Sequence, residues 1–505
     1  MTDKPNVLLI MADQLTPFAL GAYGHATVQS PNIDKLAENG VVFDSAYCNS
    51  PLCAPSRFSL LTGKLPSNID AFDNAAYFPS NRPTMAHHFR ARGYATSLIG
   101  KMHFIGPDQL HGFEDRRTTD IYPADFGWVP DWTSPERIDW WYHGMASVLN
   151  AGVAETTNQL DFDDAVGFHA VRTLHDIARA DDDRPFFCCV SFTHPHDPYV
   201  TRRKYWDLYD AARIDLPRVP AIPYAEMDPH SRRLHDLAEM ANVEITEAHI
   251  RNARRAYYGN VSYVDDWIGR LLDTLAATGL DGNTLVVFMS DHGDMLGERG
   301  LWYKMSFHEW SCRIPLLFHW PGTLPPGRVA NNVSAVDLLP TLNDLTGGPA
   351  DGAPDDLDGQ SLAPLLDGRS AQGADLVQAE HLGEGAVAPL FMLRRGRWKY
   401  VACEVDPPQL FDLDADPDEL TNLSGRPETA DVEAAFAGQV AERWDAPTLH
   451  RRVLEDQRRR RFLDGALRQG RFAPWDFQPA EDAGERYMRN HLNLNEVEEK
   501  ARWPR

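Results

Sequence analysis

Several segments of the chain share one pattern, an apolar run that stops abruptly at polar residues. "NVLLIMADQ" ends at Asp13 and Gln14, and "YATSLIGKMH" ends at Lys101 and His103. "RPFFCCVSFTHPHDPY" ends at His194 and His196, and "NTLVVFMSDHGD" ends at Asp291 and His292. Continuous apolar runs of this length suit strands covered on both faces, as in a parallel sheet. Amphipathic stretches such as "SPNIDKLAENG" and "TMAHHFRARG" lie between them and predict helices. The alternation predicts an α/β fold, a large doubly wound and mostly parallel sheet with helices on both faces. Open sheets of this kind bind ligands beyond the C-terminal ends of their strands. Four segments far apart in sequence therefore deliver Asp, Gln, Lys and His to one edge.

Beyond about residue 375 the texture changes. "FMLRRGRWKYVACE" and "PQLFDLDADPDELTNL" read as short strands with turns, followed by helix. The expected division is an α/β domain over residues 1–375 and a smaller C-terminal α+β subdomain over 376–505. The tail "ERYMRNHLNLNEVEEKARWPR" is polar and aromatic and reads as a docked arm. Its Arg486, Tyr487, Arg489 and His491 are candidates for contact with a neighbouring subunit; a helix packed on its own chain is the alternative. "GGPADGAPDDLDG" reads as a surface loop.

Composition narrows the partners. The 505 residues are 43% hydrophobic and 24% charged, ordinary for a soluble protein with more than one lobe. A net charge of -24 argues against nucleic acid, which needs a basic surface. It is compatible with a cationic substrate, although a solvated acidic surface explains it better. "MTDKPNVLLIMADQ" has too short an apolar run for a secretory leader, and no run approaches the roughly 20 apolar residues of a membrane span. The six cysteines are sparse and show no metal-type spacing, and adjacent Cys188 and Cys189 read as buried thiols. A reduced, cytoplasmic protein is expected.

The strand-end residues suggest chemistry. Asp13, Gln14, Asp291 and His292 suggest a site for a hard cation, although a single strand-end Asp is more often a cap or turn residue. Lys101, His103, His196 and Lys304 suit an anion of spread charge such as sulfate or phosphate. Taken singly, the lysines read as surface residues. In "NSPLCAPSRFSLLTG", Cys53 falls at or just before a predicted helix N-terminus, a position that lowers thiol pKa values. Arg57 lies one turn on. A reactive centre and a structural cysteine both fit. Trp128, Trp132, Trp140 and Trp141, followed by Tyr142 and His143, offer aromatic faces to a quaternary ammonium group. Core packing is the alternative for each of them.

"CAPSRFSLLTG" resembles the sulfatase signature C-x-P-S/A-R followed by x-x-x-L-T-G. The resemblance implies the alkaline phosphatase-like fold and conversion of Cys53 to Cα-formylglycine. A formylglycine-generating enzyme would read Cys53, Pro55 and Arg57. "MADQ" looks like the family's first metal-ligand pair, with Gln14 where many members carry a second acid. "SDHGDMLGERGLWYK" looks like the second metal strand and the sulfate-binding Lys304. The implied metal set is Asp13, Gln14, Cys53, Asp291 and His292, with Ca²⁺ expected and Mg²⁺ possible.

Longer matches resemble the choline-sulfatases: "GKMHFIGPDQLHGFEDRRTTDIYPADFGW", "ERIDWWYH", "SFTHPHDPYV" and "ERYMRNHLNL". They imply choline-O-sulfate as substrate and a homo-oligomer, a dimer or tetramer. Trp128 and His143 are the implied cage residues, Glu384 their anionic neighbour, and Asn74 and His194 further pocket residues. In the implied mechanism the hydrated aldehyde at position 53 attacks sulfur while Asp291 takes its proton. Arg57, Lys101, His196 and Lys304 hold the sulfate oxygens, and His103 or His196 protonates the leaving oxygen. The rivals are a phosphonate monoester or phosphodiester hydrolase of the same superfamily, and a non-catalytic binder of quaternary ammonium compounds.

Overall fold

A computed structural model of the chain describes residues 4–134, 143–368, 375–480 and 491–503. In chain order the first strands are β1 (Asn6–Asp13), β2 (Val41–Tyr47), β3 (Ala95–Gly100), β4 (Asp115–Arg116) and β5 (Gly152–Val153). Next come β6 (Phe186–Pro195), β7 (Val200–Thr201), β8 (Thr284–Ser290), β9 (Arg313–Ile314), β10 (Leu316–His319) and β11 (Gly327–Ser334). The last four are β12 (Leu376–His381), β13 (Leu390–Arg395), β14 (Trp398–Cys403) and β15 (Asp406–Asp412).

Nine of the described strands form one sheet in the order β11-β2-β10-β8-β1-β6-β3-β4, with β9 beside β2. β1 pairs in parallel with both β6 and β8, and β3 in parallel with β6. β10 runs antiparallel between β8 and β2, so the sheet is mixed and mostly parallel. The all-apolar run of β1 explains its central place. Val7, Leu9 and Met11 enter the core on one face, and Leu8, Ile10 and Ala12 the core on the other. The second face is covered by the helices Asn158–Arg179 and Glu247–Thr278, through side chains such as Leu160, Leu174, Val264 and Ile268.

The helix Cys53–Thr62 packs on the first face through Phe58 and Leu61. β12 to β15 form a small antiparallel sheet backed by the helices Ala430–Arg443 and Ala446–Leu467. Val377, Ala379, Phe391 and Val453 lie in the same hydrophobic core as Val7 and Leu9, so these C-terminal elements extend the main core. The described part of the tail packs on its own chain. Arg179 Nη1 donates to the Ala501 carbonyl at 2.7 Å, and Trp503 Nε1 to that of Ala277 at 2.9 Å. His491 is exposed. Arg486, Tyr487 and Arg489 lie outside the described residues, as do Trp140, Trp141 and Tyr142. Among the described residues no helix is long and apolar enough to cross a membrane.

Register places the strand ends side by side. Ala12 faces Ser290, Asp13 faces Pro195, and Gly100 faces Ser191. At Gly100 the backbone has φ +104°, and a Cβ would fall 2.0 Å from the Ser191 carbonyl oxygen. Only glycine permits that approach. It leaves Lys101 N donating to the same oxygen at 3.0 Å.

Candidate active site

Cys53 is the first residue of its helix, and all ten residues of that helix are buried. Leu52 at the N-cap has no capping side chain. Asn74 does that work from another loop, its Oδ1 accepting from Ala54 N at 3.0 Å. The Cys53 Sγ lies 3.1 Å from His292 Nε2, 3.7 Å from Lys101 Nζ and 3.9 Å from Asp13 Oδ1. A helix N-terminus and a lysine thus face the sulfur together.

Asp13, Cys53, Asp291 and His292 form a buried cluster whose candidate ligand atoms all lie within 4.8 Å of one another. Their partners fix the orientation of each. His292 Nδ1 stands 3.0 Å from the Gly293 carbonyl, which only accepts, so Nδ1 carries the hydrogen and Nε2 keeps a lone pair toward the cluster. Asp291 Oδ1 accepts from the backbone N–H groups of Gln14 and His292 at 3.0 and 2.9 Å. Lys101 Nζ lies 2.5 Å from Asp13 Oδ2. Burial would raise the Asp13 carboxyl, but Lys101 and Arg57 hold it well below the usual carboxylate range. Two carboxylates, an imidazole lone pair and residue 53 make a donor set that fits a divalent cation.

Arg57 is placed differently from the sequence expectation. Its Nε donates to Asp291 Oδ2 at 2.8 Å and its Nη2 to Asp13 Oδ2 at 2.7 Å. Its Nη1 donates to the Lys101 carbonyl at 2.7 Å and to Ser191 Oγ at 2.9 Å. The guanidinium is spent on these protein groups and holds the carboxylates in place of sulfate oxygens. Gln14 also differs from a fifth metal ligand. Gln14 has φ +62°, and its side-chain amide is engaged by protein groups. Its Oε1 accepts from Lys304 Nζ at 2.6 Å, and its Nε2 donates to Asp294 at 2.6 Å and Asp197 at 3.3 Å.

A cavity opens above Cys53, lined by Lys304, His196, Asn74, Trp128, His143 and Glu384 together with Leu52, Tyr122 and Met305. His196 Nδ1 lies 2.6 Å from the Asp197 carbonyl and so carries its hydrogen there, leaving Nε2 to accept from Lys304 Nζ at 2.6 Å. Burial and the adjacent Lys304 cation push the His196 imidazolium well below its ordinary pKa. Burial and Lys304 lower His143 in the same way. Glu384 is pushed up to about 8, first by burial and then by the neighbouring Asp73. Its Oε1 accepts from Asn74 N at 3.3 Å, and its Oε2 has no hydrogen-bond partner. An unpartnered buried carboxylate oxygen on an aromatic wall suits an organic cation.

Arg57, Lys101, His103 and His194 are not among the residues that line this cavity. His194 Nδ1 is bonded to Asp163 Oδ2 at 2.7 Å, and its ring packs on Tyr263, away from the cavity wall. His103, at φ +63°, packs its ring against Tyr122 and Trp128 at 5.2 and 5.8 Å between centroids. Trp132 is buried, with its Nε1 donating to the Gly383 carbonyl at 3.0 Å. The sequence reading missed Tyr122, whose ring lies 4.2 Å from Lys101 Nζ and 5.0 Å from the Trp128 ring. It also missed Asp197. Tyr122 sits in an irregular loop with no motif spacing, so only its density of aromatic neighbours signalled it.

The profile described as "Sulfatase" matches residues 5–348. "N-sulphoglucosamine sulphohydrolase, C-terminal" matches 297–445, and "Choline sulfatase enzyme C terminal" matches 451–503. The chain belongs to the sulfatase family and is a sulfuric ester hydrolase. It is 50% identical to a choline-sulfatase of Rhizobium meliloti over 100% of this chain and 99% of that one. It is 30% identical to an arylsulfatase of Clostridium perfringens over 83% of this chain and 90% of the relative. A phosphonate monoester hydrolase of Agrobacterium radiobacter superposes with a TM-score of 0.68 at 26% identity, covering 88% of this chain and 96% of that one.

Proposed function

We propose that the protein hydrolyses choline-O-sulfate to choline and sulfate, with residue 53 as the nucleophile position. One observation carries the reading. The cavity that opens on Cys53 is lined both by groups that suit an anion, Lys304 and His196, and by groups that suit a cation, Trp128 and the unpartnered Glu384 oxygen. Choline sulfate carries those two charges on one short molecule. The full-length likeness to a choline-sulfatase supports the same substrate.

Asp13, Asp291, His292 and residue 53 would hold the cation, for which we infer Ca²⁺, with Mg²⁺ served by the same oxygen donors. When present, the metal and a formylglycine made from Cys53 supply a polarised hydroxyl as the attacking group. The chain's own residues do the rest. Arg57 fixes both carboxylates, and Asp291, in contact with that cluster, is placed to receive the hydroxyl proton. Lys101 and Lys304 flank residue 53 and neutralise charge that builds on the sulfate oxygens. Lys304 Nζ and His196 Nε2 share a proton at 2.6 Å, and the pair passes one to the departing choline oxygen. His103, whose side chain interacts with Cys53 and packs on the aromatic wall, is the alternative donor of that proton. Trp128 and His143 hold the trimethylammonium group, Glu384 balances its charge, and Asn74 ties the pocket to the start of the Cys53 helix.

All six cysteines are free and five are buried, which supports a reducing, cytoplasmic setting. Exposed Phe462, Leu463 and Leu467 on one C-terminal helix support contact between copies in a dimer or tetramer. The rival is phosphonate monoester hydrolysis, which the structural likeness to such an enzyme keeps in view. Rates on choline-O-sulfate and on a phenyl phosphonate monoester, measured side by side, separate the two. A higher kcat/KM on the phosphonate would replace the choline reading.

A further inference from the structure

The helix Ala446–Leu467 is mostly polar, yet it buries Asp456, Gln457 and Arg460. Arg460 is one of the largest fully buried side chains among the described residues. Its Nη1 and Nη2 donate to the two oxygens of Asp73 at 2.7 Å each, and its Nε to Asp456 at 2.6 Å. Asp73 is itself fully buried and immediately precedes Asn74 of the cavity wall. One turn earlier, Gln457 Oε1 accepts from Trp132 N at 3.0 Å, and Trp132 Nε1 donates to the carbonyl of Gly383, next to Glu384. One helix face therefore grips the loops that carry Asn74 and Trp128, and through Trp132 it reaches the loop that carries Glu384.

We infer that Arg460 is a positioning residue for choline specificity, acting through Asp73 on Asn74 and Glu384. This rests on the proposed function. Asp73 and Glu384 are neighbouring buried carboxyls, and Asp73 raises Glu384 even while paired with Arg460; without that partner it would hold Glu384 neutral more firmly. A neutral Glu384 no longer attracts a trimethylammonium group. The bidentate Arg460 pair offsets the Asp73 charge and holds the Asp73–Asn74 backbone against Glu384, so that Glu384 can still give up its proton when a cation arrives. Arg460 touches no cavity atom itself; the sulfate end of the site lies on other elements.

The test compares wild type with Arg460→Met, Arg460→Lys and the double variant Asp73→Asn/Arg460→Met, reading KM and kcat on choline-O-sulfate and on p-nitrophenyl sulfate, an anion with no cationic group. Arg460→Met is expected to raise KM for the choline ester about tenfold or more, with KM for the aryl ester changed less than about twofold. Arg460→Lys keeps the charge but loses the fork, and raises the choline KM by about threefold. The double variant, a neutral pair of similar shape, recovers most of the lost choline affinity. Equal losses on both substrates, or no recovery in the double variant, overturn the inference. If Arg460→Met does not fold, Arg460→Lys and the double variant decide it, and an unchanged choline KM in Arg460→Lys overturns it. A wild type inactive on choline-O-sulfate overturns the proposed function; an active wild type with unselective variants overturns only the role of Arg460.

Discussion

Arg57 donates through Nε to Oδ2 of Asp291 at 2.8 Å, with both side chains fully buried. The same guanidinium reaches Asp13 at 2.7 Å, so one cation braces both carboxylates of the cluster. The arginine of the signature motif thereby acts on the proposed metal ligands.

Substitution of Arg57 should show that role. Arg57→Ala leaves two buried carboxylates without their brace and is expected to cost about 3–5 kcal/mol of stability, partly offset by added divalent cation. In Arg57→Lys, kcat falls by about 100-fold or more while KM for the sulfate ester changes little. Thermal melts with and without Ca²⁺, with steady-state kinetics, check this. Mass spectrometry of residue 53 confirms equal aldehyde content in the compared samples. A large rise in KM with kcat kept would return Arg57 to the sulfate.

Trp128 forms the aromatic wall beside Tyr122 and His103. Removing its face from a desolvated trimethylammonium group forfeits about 1–2 kcal/mol, so Trp128→Ala should raise KM for choline-O-sulfate by about 5- to 30-fold. An aryl sulfate has no such group and should be nearly unaffected. Equal loss on both substrates contradicts the cage.

Glu384 gives the pocket a pH signature. Its carboxyl is held up to about 8, so in the free protein it is mostly protonated at pH 7 and ionised above 8. A cation favours the ionised form and must expel the proton at lower pH. Choline affinity, read by calorimetry, should therefore rise about tenfold per pH unit below 8 and level off above it. Glu384→Gln should bind choline weakly and flatten this dependence. A wild-type profile flat from pH 6 to 9 would show that Glu384 is already ionised.

The strands were legible because their apolar runs end at polar residues, and four such ends do lie side by side on the sheet. The helix start at Cys53 was legible from local sequence, and the sulfatase assignment from the motif beginning there. The antiparallel insertion of β10 was not, because a four-residue apolar run carries no direction. The turn of Gln14 toward Lys304 was hidden as well. Its φ of +62° belongs to a residue type that seldom adopts it, so nothing in the composition announces it. His194 shared an apolar-run ending with His196, but the backbone sends the two side chains to different partners, Asp163 and Lys304. Arg460 and Asp73 are 387 residues apart, and no local pattern links a polar helix to a distant pocket loop.

The most direct test of the account is sulfate release from choline-O-sulfate by protein co-produced with a formylglycine-generating enzyme, beside a Cys53→Ala control. Release by the aldehyde-bearing protein is expected, and none above background from the control. Release that persists in Cys53→Ala, or its absence from protein shown by mass spectrometry to carry the aldehyde, would contradict it.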